Sequence, residues 1–329
     1  MEAFRDADGR SRGHLVSVAR LAGKGSTQPV TAVMGLASLA GPFGDGHGSR
    51  SVSQRSCPSP DHRPTFEVES GTGHGMDPVV ITGGFGRVGS LVRPALLAEH
   101  RLRVVDRVAG TTLPGEESVV ADLAEPGVAE RALAGASGLV HLAGDPRPHA
   151  AWEEAYRANV TLTRRVLDAA AGQGVPRVVL ASTVHAMGEY NRPEHRPVDP
   201  AWEPRPCCAY GLSKVITENL GRLHAELTGA SVVCLRLGST GYALDEARYL
   251  GMWLSGRDAG ALLLAALTAG PGWSVHFGMS ANTRRHWDLA SARKLGYEPR
   301  DDSEPYAATA GPPTAVICRI FDGEDNPRA

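Results

Sequence analysis

The chain has 329 residues and a formal net charge of −2, so no broad basic footprint argues for nucleic acid or an anionic membrane as partner. Charged residues make up 21% and apolar ones 42%, the balance of a water-soluble globular protein, and no apolar run approaches the roughly 20 residues that a spanning helix needs. The five cysteines (Cys57, Cys207, Cys208, Cys234 and Cys318) form no C-x-x-C and no His/Cys cluster at zinc spacing. This predicts a reducing, cytoplasmic setting with no disulfide framework and no metal.

Composition changes abruptly near Met76. Residues 1–75 are dominated by Gly, Ser, Arg, Pro and His, with three phenylalanines and no Trp or Tyr. A stretch such as "GPFGDGHGSRSVSQRSCPSPDHRP" has no helical or strand periodicity and cannot bury a core. The apolar patch "VTAVMGLASLAGPF" lies too far inside the chain for a signal segment. Residues 1–75 are therefore expected to be a disordered, dispensable extension, with Met76 as the effective start. Residues 76–310 are expected to fold, with a small substrate lobe formed mainly by 240–310, and 311–329 to form a loose tail.

From Met76 onward, short apolar runs alternate with amphipathic ones. "PVVIT" reads as a first strand, followed by glycines and a helix through "VGSLVRPALLAEH". "LRVVD", "SVVADL" and "GLVHLAG" read as the next three strands. A helix through "AYRANVTLTRRVLDAAAGQG" leads to a fifth strand, "RVVLAS"; a long Pro-rich connection then precedes a helix over "CAYGLSKVITENLGRLHAEL" and a strand "SVVCLRLGS". Continuous apolar strands alternating with helices predict an α/β fold: a doubly wound, Rossmann-type parallel sheet with a small C-terminal substrate lobe. In the last helix, Leu212, Val215, Ile216, Leu220 and Leu223 form an apolar stripe expected to face the core.

Between the first strand and first helix, "VVITGGFGRVGSLV" places Gly83, Gly84, Gly86 and Gly89. Glycines there permit a tight turn and close backbone approach to a pyrophosphate, and the helix N-terminus adds N–H groups and partial positive charge. The string fits both Gly84-x-Gly86-x-x-Gly89 and Thr82-Gly83-x-x-Gly86-x-x-Gly89, with Arg87 and Val88 inside the motif. Asp106 closes the second strand about 20 residues on, where a carboxylate binds ribose hydroxyls and repels a 2′-phosphate. NAD is thus favoured over NADP, although Arg107 stands next to it. Asp122 and Leu123, after the third strand, suit the adenine pocket; alternatively Asp122 simply caps a turn.

Tyr210 and Lys214, at i and i+4, share one helix face. Together with the glycine motif, "HLAG" at 141–144, Asn159 and Ser182-Thr183, they make the chain from residue 78 onward resemble the extended short-chain dehydrogenase/reductase superfamily, also called the NAD-dependent epimerase/dehydratase family. The resemblance implies Tyr210, Lys214 and Thr183 as catalytic residues, and Leu142, Ala143, Gly144 and Asn159 beside the cofactor. The chemistry fits the spacing. A free tyrosine, with pKa near 10, is a poor base at neutral pH, and a nearby ammonium together with a cationic nicotinamide favours its phenolate. Lys214 would also hydrogen-bond the nicotinamide ribose, and Thr183 the reacting oxygen.

The phrases W-L-S-x-x-D, G-x-S-A-N, W-D and L-G-Y-x-P-x-D-D, within 253–302, and "LASTVHAMGEY" further resemble the uronate dehydrogenase family. That resemblance implies oxidation of glucuronate or galacturonate at the anomeric carbon to an aldarolactone, with NAD reduced. It also implies substrate contacts from Thr183, His185 and Ser239, with Arg248 holding the carboxylate. As alternatives, Arg248 is a surface loop residue and Arg284 and Arg285 compete for the anion, although these two read better as a solvated face or a subunit contact. Arg236 reads as a structural anchor, Trp253 and Trp287 as lobe packing, and Cys207-Cys208 as two small buried residues. Val184 and Pro146 stand where that family commonly carries Asn and Ser. The remaining alternatives are a sugar epimerase or dehydratase and a non-catalytic NAD sensor, and the superfamily's habit of pairing subunits implies a homo-oligomer.

Overall fold

In the computed structural model, residues 77–312 and Cys318 are described. The expected extension over 1–75, and the tail beyond Pro312 apart from Cys318, lie outside the described residues.

The chain begins with β1 (Val79–Thr82), buried along its whole length, and α1 (Arg87–Glu99). Next come β2 (Leu102–Asp106), β3 (Glu116–Val120), α2 (Val128–Ala132) and β4 (Gly138–His141). A short α3 (Trp152–Ala155) runs through a π-helical turn (Tyr156–Thr161) into α4 (Leu162–Gly172). Then follow β5 (Arg177–Thr183), α5 (Ala209–Thr228) and β6 (Ser231–Leu237). The C-terminal part adds β7 (Ser239–Thr240), β8 (Trp253–Leu254), α6 (Gly256–Leu267), β9 (Gly272–Gly278) and α7 (Ala290–Arg293).

Seven strands form one sheet in the order β3-β2-β1-β4-β5-β6-β9, all parallel, and β7 pairs with β8 apart from it. The order reverses between β1 and β4, and a crevice at the strands' carboxyl ends follows from that switch. Alternate residues feed the two faces, as the pleat requires. Val80, Val105, Leu139, Val178 and Val232 pack under α2 and α4, while Ile81, Val104, Val140, Val179 and Val233 pack under α1 and α6. A third cluster around Val184, Met187, Met252, Phe277 and Trp287 builds the C-terminal lobe. Trp287 is fully buried there, its ring 5.0 Å from Phe277, in the packing role read from the sequence.

Three elements differ from expectation. The helix over "AYRANVTLTRRVLDAAAGQG" is interrupted by the π-helical turn. β9 completes the sheet edge, although "GWSVHFG" mixes apolar with polar residues and gives no continuous apolar run. Most significantly, α5 is largely inverted, although Leu220 of the expected stripe still packs against the core and Val215 and Ile216 are half-buried. Leu212 and Leu223 are 42% and 45% exposed, and the buried face instead carries Tyr210, Ser213, Lys214, Thr217, Glu218 and Gly221.

The inversion has a physical basis. Spacing identifies an apolar stripe but not what covers it, and small residues let this helix lie close on the sheet. A Cβ on Gly221 would stand 2.7 Å from the Leu180 side chain. The buried polar groups are also satisfied, which removes most of the cost of burying them. Ser213 and Thr217 donate to the Tyr210 and Lys214 carbonyls at 2.7 and 2.8 Å. Glu218 accepts from Arg236 Nε at 2.8 Å and Nη2 at 2.7 Å, and from Ser182 Oγ at 2.5 Å; Arg236 Nη1 reaches the Pro200 carbonyl at 2.9 Å. Arg236 is thus the anchor expected of it. Removing it strands a buried carboxylate, so Arg236→Met should cost roughly 3–5 kcal/mol, read as a lowered urea midpoint with unchanged slope.

Candidate active site

The β1–α1 loop is shaped by what its glycines leave out. Gly83 has φ +68°, and a Cβ there would press 2.7 Å from the Ala143 nitrogen. A Cβ on Gly89 would meet the Gly84 carbonyl oxygen at 2.5 Å, so α1 can start this close to the loop only with glycine. Gly86 occupies the N-cap of α1 with no side-chain cap, which leaves the first-turn N–H groups available to an anion.

A cavity of about 340 Å³ opens from this loop. Gly83, Gly86, Arg87, Val88 and Gly89 wall one end. Leu142 and Gly144 follow β4, and Ser182, Thr183, Tyr210 and Lys214 stand across from Ser239. His185 also belongs to the wall, with its ring edge-on to Tyr210 at 5.5 Å between centroids. Thr183 hydrogen-bonds the Tyr210 phenol, and its Oγ1 accepts from the His185 N–H at 3.2 Å.

Other expected site residues lie behind the wall. Thr82 Oγ1 is 2.7 Å from His141 Nδ1 and accepts from the Ala143 N–H at 3.4 Å, so Thr82 and Ala143 fix the loop. Burial, reinforced by the Lys214 charge, lowers the His141 pKa to about 3, keeping that imidazole neutral between Thr82 and Thr163. Asp106 accepts from the Phe85 N–H at 3.0 Å, tying β2 to the glycine loop. Asp122 accepts from the Ala124 N–H at 2.8 Å in the turn-capping geometry, and Leu123 is packed in the core. Asn159, fully buried on the π-helical turn, bonds Asp145 through both side-chain atoms and donates to Ser213 Oγ at 2.9 Å. It orients the β4 loop against α5.

Arg248 is not part of the cavity wall. Its buried guanidinium is ion-paired with Glu246, while Tyr249 and Met252, on the same 3₁₀ turn (Ala247–Met252), do reach the cavity. Arg284 pairs with Glu304 on the surface, as a solvated residue should. Sequence reasoning missed Tyr242, Tyr249 and Asp145. Tyr242 carries the Arg87 guanidinium 3.9 Å from its ring centroid, closing the C-terminal lobe over the glycine loop. Asp145 could have been found from its place just past a parallel strand, where open sheets bind ligands.

Comparison with known proteins agrees with this geometry. The model of the NAD-dependent epimerase/dehydratase family matches residues 79–241. The NAD-dependent glucose-6-phosphate dehydrogenase of Haloferax volcanii is 33% identical over 255 residues, covering 71% of this chain and 97% of that protein. The chain belongs to the NAD-dependent epimerase/dehydratase family. Uronate dehydrogenase of Pseudomonas putida is 32% identical over 234 residues, covering 70% of this chain and 86% of that protein. The crystal structure of uronate dehydrogenase from Agrobacterium tumefaciens aligns with TM-score 0.68 at 30% identity, covering 77% and 98% of the two chains.

The chain is an NAD-dependent oxidoreductase acting on a CH–OH group, as the dehydrogenases it resembles are named. Its loop suits the cofactor: a side chain on Gly83 would fill the space above β4, and the N–H groups at the start of α1 are free of side-chain caps. Among the described residues, no helix is long and apolar enough to cross a membrane.

Electrostatics of the pair depart from the expectation. Burial pushes the Tyr210 phenol above its ordinary range, against the hydrogen bond from Thr183, which favours the phenolate. Burial also lowers Lys214 from 10.5 to about 8, partly offset by the Glu218 charge. Desolvation therefore outweighs the mutual tuning anticipated for the two side chains. Between pH 8 and 10.5 the native chain holds fewer protons at Lys214 than the unfolded chain does. The buried ammonium thus penalises folding fully below pH 8, and the penalty fades as pH rises toward 10.5. Lys214→Met should raise the melting temperature below pH 8, with the gain shrinking toward pH 10.5. Melting curves of both proteins across that window check it.

Proposed function

We propose that this chain oxidises a free uronic acid, glucuronate or galacturonate, at its anomeric carbon to the aldarolactone, with NAD as acceptor. The observation that carries the reading is a single cavity joining the glycine cradle to Thr183, Tyr210, Lys214 and Ser239. Bound NAD supplies the ring that accepts hydride and a positive charge. The backbone from Gly83 to Gly89 would hold the pyrophosphate, and the Asp106 carboxylate, which braces the glycine loop through the Phe85 N–H, would hold the adenosine ribose.

Thr183 orients the anomeric hydroxyl, and Tyr210 removes its proton as the C1–H electron pair departs and the C1=O bond forms. Lys214 steadies the phenolate and the nicotinamide ribose. Ser239 contacts the sugar, and His185 closes the wall beside Tyr210. A phenol held up by burial becomes an effective base only when further positive charge enters the cleft.

For Arg248 the reading requires an exchange of partners. The substrate carboxylate takes the place of Glu246, so the buried guanidinium stays paired throughout. A bidentate guanidinium suits a planar carboxylate. Val184 and Pro146 line the cavity without a side-chain hydrogen bond to offer. Each absence removes on the order of 1 kcal/mol of sugar recognition, enough to alter epimer preference but not hydride transfer.

A second reading, glucose 6-phosphate as substrate, is favoured by the near-complete coverage of the Haloferax volcanii relative, since the same cation could hold a phosphate. A panel of glucuronate, galacturonate, glucose 6-phosphate, glucose and arabinose, each with NAD and NADP, separates the two by NADH absorbance. Turnover of a uronate with NAD is expected; silence with both uronates beside turnover of glucose 6-phosphate would replace the first reading by the second. Arg248→Leu should raise KM for the uronate roughly 10- to 100-fold, the loss of a hydrogen-bonded charge pair, while KM for NAD stays unchanged.

A further inference from the structure

His185 reaches beyond the cavity as well as into it. Its Nδ1 lies 3.2 Å from Cys318 Sγ, 3.5 Å from Cys208 Sγ and 3.6 Å from Cys207 Sγ. Cys207 Sγ and Cys318 Sγ are 3.6 Å apart, and all four donor atoms fall within 4.8 Å of one another. Hydrogen bonding has little use for this crowding. A neutral imidazole nitrogen without its proton accepts from a donor or two, and thiols are weak donors.

Metal coordination accounts for the spacing directly. With Zn–S about 2.3 Å and Zn–N about 2.0–2.1 Å at tetrahedral angles, sulfur–sulfur edges are about 3.8 Å and sulfur–nitrogen edges about 3.5 Å. The three sulfur–nitrogen separations, 3.2–3.6 Å, and the Cys207–Cys318 separation, 3.6 Å, match those edges within a few tenths of an ångström, and the other two sulfur pairs lie within 4.8 Å. We propose that His185, Cys207, Cys208 and Cys318 form a Cys₃His zinc site at the back of the active-site wall.

The local structure prepares the donors. Cys208 is the N-cap of α5, where the Gly211 N–H donates to its sulfur at 3.4 Å, a setting that favours the ligating thiolate. The Cys207 N–H donates to the His185 carbonyl at 3.2 Å, which holds the end of β5 and the start of α5 in register. Cys318 is supplied from far along the chain, 111 residues after Cys207. No spacing rule joins such donors, so the sequence reads as metal-free. Four protein donors leave no open position, which makes the site structural rather than catalytic. Zinc on Nδ1 would lock the imidazole against Tyr210 and hold Cys318 beside it.

The test needs no knowledge of the substrate. Full-length protein is purified with a thiol reductant, loaded with zinc, dialysed and analysed for metal; a second sample is titrated with cobalt(II). One equivalent of zinc per chain is expected, with intense visible cobalt bands and sulfur-to-cobalt charge transfer in the near ultraviolet. Cys318→Ser and Cys207→Ser should each weaken zinc, in competition with a chromogenic chelator, by more than the roughly 10- to 100-fold that outer-shell changes cost. Retention of no metal, cobalt spectra without charge transfer, a Cys207–Cys318 disulfide in the reduced preparation, or zinc affinity in both variants equal to that of the unaltered chain would overturn the proposal.

Discussion

A single buried carboxylate holds the active site from behind. Glu218 sits on α5 one turn beyond Lys214, takes two hydrogen bonds from Arg236 on β6 and a third from Ser182 on β5. Ser182 directly precedes Thr183, so this one carboxylate ties β5, through the Ser182 hydrogen bond, and β6, through the Arg236 ion pair, to the helix that carries Tyr210 and Lys214. Both charges are almost fully buried, which makes sense only because each nitrogen of the guanidinium and each oxygen of the carboxylate has a hydrogen-bond partner. The same carboxylate partly restores the proton affinity that burial takes from Lys214. Structure and electrostatics of the site therefore share one determinant.

The polar face of α5 is turned inward because the site requires it. An apolar face would have packed equally well on β5 and β6, but it could not have carried Tyr210, Lys214 and Glu218 toward the strand ends. Small residues make the inversion feasible: Gly211 and Gly221 let the helix approach to where any Cβ would collide with the His185 carbonyl oxygen or the Leu180 side chain. The leucines left outside are the counterpart of that choice, and they leave Leu212, Leu223 and Leu227 exposed along one side of the helix.

Features fixed by neighbours in the chain were legible in the residues. The apolar runs of β1, β2, β4, β5 and β6 and the glycine loop depend on local pattern and backbone sterics, and they stand where expected. Thr183, Tyr210, Lys214, His185 and Ser239 share a cavity because each lies at a carboxyl end of a strand or on the helix leaning over it. What was not legible depends on distant parts of the chain. Nothing local in the residues shows that Leu123 packs in the core or that a π-helical turn aims Asn159 at Asp145 and Ser213, whereas the turn-capping reading of Asp122 was open from the start. Neither the buried face of α5 nor the partner of Arg248 can be derived from spacing.

The Tyr210–Lys214 pair shows the same limit in its energetics. Spacing established that the two side chains share a face and invited a purely Coulombic account, in which cation and phenol adjust one another. In the fold both are buried, and desolvation acts on them in opposite directions, raising the phenol and lowering the ammonium. Burial therefore shifts both toward their neutral forms, although an ammonium with a pKa of about 8 still carries its charge at neutral pH. On the proposed reading, in which Tyr210 is the base, burial opposes its ionisation in the empty cleft, and the positive charge of an oxidised cofactor would work against that bias. Burial, which at first sight weakens the base, would then make its activation depend on a complete site.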